Sequence, residues 1–184
     1  MTQSDPFIVK HTLNWIRSFI VPLNICPFAK GSVNKGTLRI SVSESKKKAQ
    51  ALEDLMSEVL FLDENPAVET TLLVFSHAFK DFFAYLDFVD LAEQLIQVQG
   101  YEGTYQLASF HPDYYFADSD PEDVSNYTNR SPYPMLHLLR EDMLEKAIHA
   151  YGDTDTIPEK NCTLMRELGL QKVQELIRSC APED

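Results

Sequence analysis

The sequence predicts an α/β (or α+β) fold in which a small sheet of at least three strands is covered by about five helices. Two patterns alternate along the chain: long segments with apolar residues at helical spacing, and short runs of β-branched and apolar residues. Their order is helix, strand, helix, strand, helix, strand and then helices only. Helices with one apolar face need a common layer to cover, so we expect the strands to form one sheet.

The three predicted strands are short. Residues 37–42 alternate polar and apolar side chains, as a half-buried strand does. Residues 69–75 follow Pro66 as a mostly apolar run, whose length favours a buried strand over a helix. Residues 103–110 form the third predicted strand, which Pro112 ends. The second strand is expected in the middle of the sheet.

The predicted helices are longer and amphipathic. The first covers residues 7–23, the second follows a Ser43 or Ser45 cap, and the third covers residues 79–98. After an irregular loop over residues 111–131, Ser131 as N-cap and Pro132 at the first position predict a fourth helix. Its expected core face consists of Leu136, Leu139, Met143 and Ala147. Two further helices are predicted after it, one over residues 158–168 and a last one that contains Leu170, Val173 and Ile177.

Size and composition predict one domain over residues 1–184, with a core from about residue 7 to residue 179. The 184 residues carry a formal net charge of -12, which works against general affinity for nucleic acid or anionic membranes. The sequence shows no secretory signal and no membrane-spanning run. Three widely spaced cysteines give no disulfide framework, so we expect a cytoplasmic protein.

The reactive residue types are densest between Phe110 and Glu141. His111 follows the third predicted strand and could act as an acid, a base or a metal ligand, or could simply tie down the loop. Asn129, Arg130 and Ser131 precede the predicted fourth helix, whose free N–H groups could help them to hold a small anionic molecule. In the structural alternative, Asn129 and Ser131 turn and cap the chain, while Arg130 pairs with a nearby acid.

The aromatic residues of the same region are a second feature. They could wall a pocket or pack on the core. They are Tyr114, Tyr115, Phe116, Tyr127 and Tyr133.

His137 and Glu141 stand four residues apart, which would place them on one face of the predicted fourth helix. Together with His111 they would form a set of two histidines and one carboxylate, with Cys26 as a fourth ligand, suited to a divalent metal. A solvated polar pair is the alternative. Cys26 itself could be a nucleophile or a buried hydrophobe. We further predict that His111 and His137 share a cavity, with their rings within roughly 6 to 7 Å.

Four segments resemble the bacterial and plastid family catalogued as domain of unknown function 1415. They are residues 23–29 (LNICPFA), 69–74 (ETTLLV), 106–112 (QLASFHP) and 128–141 (TNRSPYPMLHLLRE). The resemblance extends from about residue 10 to residue 170, and it implies that the whole domain is present. It locates a site near these motifs without implying a reaction.

Three hypotheses for the function follow. The first is a small-molecule enzyme in which Asn129, Arg130 and a helix N-terminus hold an anionic group, while His111 or His137 moves a proton. The second is a metal-binding protein that uses His111, His137 and Glu141. The third is a non-catalytic interaction or assembly domain, in which the same region should be packed and free of any cavity.

Overall fold

A computed structural model describes residues 5–182 of the chain. Within these residues, seven α-helices accompany one mixed sheet of four strands. The elements in chain order are α1 (Asp5–Trp15), α2 (Ala29–Lys35), β1 (Leu38–Ser43), α3 (Lys48–Glu64), β2 (Thr70–Phe75), α4 (Phe82–Val98), β3 (Tyr105–Phe110), β4 (Met135–Arg140), α5 (Glu141–Tyr151), α6 (Ile157–Leu168) and α7 (Leu170–Ser179). None of the described helices is long and apolar enough to cross a bilayer.

The sheet has the order β1-β2-β4-β3. Strand β1 pairs in parallel with β2, whereas β4 is antiparallel to both of its neighbours, β2 and β3. The three predicted strands therefore lie in one sheet, as expected. The strand missed by sequence reasoning, β4, is inserted between β2 and β3.

The fourth predicted helix is wrong at its start. Residues 135–140 form β4, and a helix begins only at Glu141. A central strand that is covered on both faces is nearly continuously apolar, and such a run has no periodicity that separates it from a buried helix. Ser131 is not a helix cap, since its hydroxyl donates to the carbonyl oxygen of Tyr133.

The two faces of the sheet are covered differently. One face, here called the α3/α4 face, packs Leu73, Leu136 and Leu138 against α3 and α4. The opposite face packs Val74 and Met135 against α1, α6 and α7. Helix α1 continues into a π-helical segment, Ile16–Ile20, whose side chains join this second cluster. The part of the second face that these helices leave uncovered is the floor of a cavity, and we call this side the cavity face.

Arg140 fixes the junction between β4 and the end of α3. Its guanidinium donates to the carbonyl oxygens of Leu62, Asn65 and Val68, and to the hydroxyl of Tyr105. A cation at the C-terminus of a helix satisfies carbonyl groups that have no intrahelical partner and complements the helix dipole. Arg140 is therefore a structural anchor, with four hydrogen bonds from its guanidinium.

Candidate ligand cavity

A cavity of about 950 Å³ lies on the cavity face of the sheet. All four strands contribute to its floor, through alternate side chains that point to the same side. These are Leu38, Thr70, Leu72, Ala108, Phe110, His137 and Leu139. Because β4 runs through the middle of the sheet, His137 lies near the centre of this floor.

The walls come from helices and turns around the uncovered sheet. The π-helical segment and the turn after it contribute Ile16, Ile20 and residues 25–29, and α6 contributes Pro158, Asn161 and Cys162. Exposed residues of α2 and α5 also line the cavity, so it reaches the surface between these two helices. They are Gly31, Lys35, Lys146 and Ala150.

Helix α5 forms the outer wall. It follows β4 without a linker and carries no fully buried residue. Met143, Leu144 and Ala147 nevertheless face the cavity, because they lie on one side of the helix. The ring of Tyr151 packs edge-on against Phe28, with 5.9 Å between the centroids. The apolar face of α5 thus covers the cavity rather than a packed core.

The polar centre of the floor is the pair formed by Thr70 and His137. The Thr70 hydroxyl oxygen is 2.7 Å from Nε2 of His137 and 2.6 Å from the carbonyl oxygen of Leu138. Burial of the imidazole in protein lowers the pKa of His137 to about 4. His137 is nevertheless partly exposed, because it borders the cavity. At neutral pH His137 is therefore uncharged.

Two asparagines add polar groups to the walls. Asn161 of α6 donates from Nδ2 to the carbonyl oxygen of Ile25 at 2.7 Å, which joins α6 to the turn after the π-helical segment. Asn129 accepts a hydrogen bond at Oδ1 from the hydroxyl of Thr128 at 3.1 Å. Of the predicted anion-binding residues, Asn129 alone lines the cavity.

Cys26 and Cys162 line the same cavity. They are the sequence neighbours of Ile25 and Asn161, which are hydrogen-bonded to each other. Burial raises the pKa of the Cys26 thiol, against hydrogen bonds from the backbone of Phe28 and Ala29. Because the thiolate is the nucleophile, this environment works against the predicted nucleophilic role of Cys26.

His111 lies outside the cavity, on the other side of the sheet. Its ring packs against Phe82 and Tyr85 of the α3/α4 face, with centroids 5.2 and 5.1 Å away. Nε2 donates to the carbonyl oxygen of Phe79 at 2.8 Å, and Nδ1 accepts from the backbone N–H of Asp113 at 3.0 Å. Burial lowers the pKa of His111. Both ring nitrogens are therefore occupied in joining two loops.

The predicted sharing of one cavity by His111 and His137 is wrong. His137 is on a strand position that faces the cavity, whereas its neighbours Leu136 and Leu138 face α3 and α4. The His111 ring packs on that α3/α4 face. The sheet thus separates the two rings. The prediction failed because it placed His137 on a helix, where the alternation of side chains between two faces does not apply.

Arg130 points away from the cavity, which contradicts the predicted anion site in its original form. Its guanidinium donates to the carbonyl oxygens of Tyr114 at 3.0 Å and Pro121 at 2.8 Å. It also stacks over the ring of Tyr127, 4.6 Å from the centroid. Arg130 therefore fastens the loop between β3 and β4.

Tyr133 and Glu141 also differ from their predicted placement. The hydroxyl of Tyr133 is 3.0 Å from Nδ1 of His11 on α1, so its side chain joins α1 to the loop. Of the predicted aromatic wall, only Phe116 lines the cavity. Glu141 begins α5 and does not share a helix face with His137. Within residues 5–182, no group of three histidine, cysteine or acidic side chains is arranged to hold a metal ion.

A family model described as "Protein of unknown function (DUF1415)" matches residues 7–175. The chain belongs to this family. The match confirms the resemblance inferred from the sequence motifs, and it includes every residue assigned to the cavity. Neither a curated protein nor a solved structure matches the chain.

The sequence did not indicate that several of these residues line a cavity. Thr70 lies in the predicted strand over residues 69–75 and Cys162 in the predicted helix over residues 158–168, and neither pattern indicates a role at a site. Both lie in segments that look like ordinary core, because the lining of an apolar cavity has the same composition as packed protein. One signal was present in the sequence: α5 places Met143, Leu144 and Ala147 on a single side, and such a helix face must cover something.

Proposed function

We propose that this protein binds a small, largely apolar molecule in the cavity between the sheet and helices α2, α5 and α6. The supporting observation is the cavity itself, whose volume of about 950 Å³ lies within the usual range of ligand sites. Protein interiors are otherwise packed as densely as organic crystals. Apolar side chains that line an open cavity stay exposed to water, and an apolar ligand would bury them.

The composition of the lining supports an apolar ligand. Aliphatic and aromatic side chains from the sheet, the π-helical segment and α5 make most of the surface. The polar groups are few: Thr70, His137 and Asn129 lie among them, and charged side chains such as Lys35 and Lys146 are exposed. A few fixed polar groups within an apolar pocket orient a ligand without requiring it to be charged.

The cavity bears differently on the three earlier hypotheses. The interaction-domain hypothesis fits the packing of His111 and Arg130 in the loops, but it does not account for the cavity beside His137. The metal hypothesis needs His111 and His137 together, and the sheet lies between them. The enzyme hypothesis needs Arg130 at the ligand, whereas Arg130 donates to loop carbonyls. Small-molecule binding is the part of the first hypothesis that the geometry supports, with His137 as its central polar residue.

The chain provides its own reporter for a binding test. Trp15 is the single tryptophan of the sequence and lines the cavity. N-phenyl-1-naphthylamine is a neutral apolar dye that brightens in apolar surroundings and accepts excitation energy from tryptophan. We expect saturable dye binding accompanied by quenching of the Trp15 emission.

Two substitutions should block the site, and one should not. Ala108 of β3 and Ala147 of α5 line the cavity from opposite sides. The double variant Ala108→Phe, Ala147→Phe should weaken dye binding by at least about tenfold, because the new rings occupy the ligand's space. Ala49→Phe, at an exposed position of α3, is the matched control. Equal dye affinity in the double variant, folded by circular dichroism, would reject the proposal.

A further inference from the structure

The orientation of the His137 ring indicates which of its two nitrogens carries the proton. The Thr70 hydroxyl lies within hydrogen-bond distance of two groups, the carbonyl oxygen of Leu138 and Nε2 of His137. A hydroxyl has a single proton to donate, and a carbonyl oxygen can only accept. The Thr70 proton must therefore point to Leu138.

This assignment fixes the position of the imidazole proton. Since the Thr70 proton is used by Leu138, the Thr70 oxygen accepts from His137, and Nε2 of His137 carries a hydrogen. Burial keeps the ring neutral, so it has only one proton. Nδ1 is then an unprotonated nitrogen whose lone pair is free to accept a hydrogen bond.

No side chain or backbone group of residues 5–182 is hydrogen-bonded to Nδ1 of His137. The other histidine considered for the site differs in this respect, because both nitrogens of His111 have backbone partners. His137 therefore presents an unused acceptor at the floor of an apolar cavity. A ligand that covers this nitrogen without donating to it would leave the acceptor unpaired, which is costly, so a ligand that donates to it gains over one that cannot.

The charge of the ligand follows from the surroundings of this acceptor. The side chains beside His137 on the floor are apolar or hydroxylic: Leu72, Leu139, Ala108, Phe110 and Thr70. The carboxylate of Glu69, which also lines the cavity, is already hydrogen-bonded to Lys35 and Ser32. A charged ligand group beside His137 would lose hydration without gaining an opposite charge.

We propose that Nδ1 of His137, held as an acceptor by Thr70, selects neutral apolar molecules that carry a hydroxyl donor, such as phenols and apolar alcohols. This inference rests on the proposed function, because it requires a ligand in the cavity. It adds a chemical class and names His137 as the residue that determines specificity. Thr70 is a positioning residue that acts through the histidine. A site built to pair with a hydroxyl discriminates against the analogue that lacks it.

Two probes of nearly the same shape test this selection. The hydroxyl of 2-naphthol can donate to Nδ1, whereas 2-methoxynaphthalene has only an acceptor oxygen. Displacement of N-phenyl-1-naphthylamine gives the affinity of each. We expect wild-type protein to prefer 2-naphthol by about tenfold, because bound 2-methoxynaphthalene would cover Nδ1 without donating a hydrogen bond to it.

The preference should depend on the Thr70 hydroxyl. Thr70→Val keeps the shape of the side chain but removes the acceptor for Nε2–H, so the imidazole proton can move to Nδ1. The preference for 2-naphthol should then fall to about threefold or less. Thr70→Ser retains the hydroxyl, so its preference for 2-naphthol should be close to that of wild-type protein. A merely structural role of Thr70 would lower both affinities together.

The tautomer can be read without any ligand. Two-bond proton-nitrogen correlation spectra of the imidazole distinguish a protonated Nε2 from a protonated Nδ1, and His137→Gln assigns the signal. A proton on Nδ1 in wild-type protein would overturn the inference, as would equal affinities for the two probes. If both probes bind equally and are excluded by the cavity-filling variant, only this inference fails. If neither probe binds, the proposed function fails with it.

Discussion

Acidification should destabilise the protein through His137, because burial lowers the pKa of this imidazole. Burial lowers the pKa of this imidazole from 6.5 to about 4, so the folded state binds the proton more weakly than the unfolded state. The contribution to stability is complete above the unfolded pKa of 6.5. It is lost as the pH falls from there towards 4, because the unfolded state protonates first.

The size of the effect follows from the two pKa values. Linkage of protonation to unfolding gives a loss of about 2 kcal/mol between about pH 7 and about pH 5, and about 3 kcal/mol by about pH 4. Below about pH 4 the folded state also protonates, and the loss approaches its limit. Other groups titrate in the same interval, so a comparison of variants is needed to isolate His137.

Urea unfolding at a series of pH values provides the assay. His137→Gln removes the titrating group and keeps an amide that can donate to Thr70, so its free energy of unfolding should fall less steeply with acidification. The difference between wild type and variant should shrink by about 2 kcal/mol between about pH 7 and about pH 5. His149→Gln, at an exposed position of α5, controls for the removal of a histidine. Parallel pH profiles of wild type and His137→Gln would refute the buried neutral imidazole.

Three further predictions concern the residues that position the site. Arg140→Ala leaves the carbonyls at the end of α3 unpaired and should lower the free energy of unfolding by about 1 to 3 kcal/mol; the exposed Arg178→Ala should change it little. His111→Ala should lower the free energy of unfolding by a similar amount, measured by thermal unfolding. The affinity for N-phenyl-1-naphthylamine should stay within about twofold, because the hydrogen bonds of His111 join loops outside the cavity. A much larger loss of affinity would argue for a ligand contact. Arg130→Ala should raise the rate of proteolysis within residues 114–121, since it frees the carbonyls of that loop; unchanged cleavage would contradict its structural role.

The strands and most helices could be predicted because their patterns are local. Alternation over residues 37–42 and amphipathic spacing over residues 82–98 are direct consequences of covering one face of a sheet. The helix predicted from residue 158 begins at Ile157, with the proline in its first turn. Residues 135–140 resisted prediction because a central strand and a buried helix share the same apolar composition.

That single error moved most of the predicted site. On a helix, His137 and Glu141 would lie on one face, but on a strand His137 alternates with Leu136 and Leu138 and faces the cavity alone. His111 could be located at a strand end, as predicted, yet the sequence does not show which face its ring covers. The pairing of the strands determines both positions, and the residues of β4 pair with residues 25 to 69 positions earlier in the chain.

The roles of Asn129 and Arg130 show a second limit. The sequence placed both at a turn before a helix, and one of them, Asn129, does line the cavity. The direction of the Arg130 side chain depends on where the loop offers carbonyl oxygens, and those of Tyr114 and Pro121 are contributed by residues 9 to 16 positions away. Such contacts are set by the folded loop and have no local pattern.

The most direct test of the account is to map where a ligand binds. Amide spectra of labelled protein, recorded with and without saturating 2-naphthol, show which residues change their surroundings. We predict that the largest shifts cluster around the cavity, at Ala108, His137, Ala147 and Cys162. Shifts that centre instead on the exposed outer side of α4, at Phe83 and Val98, or that are absent at saturation, would contradict a ligand site in the cavity.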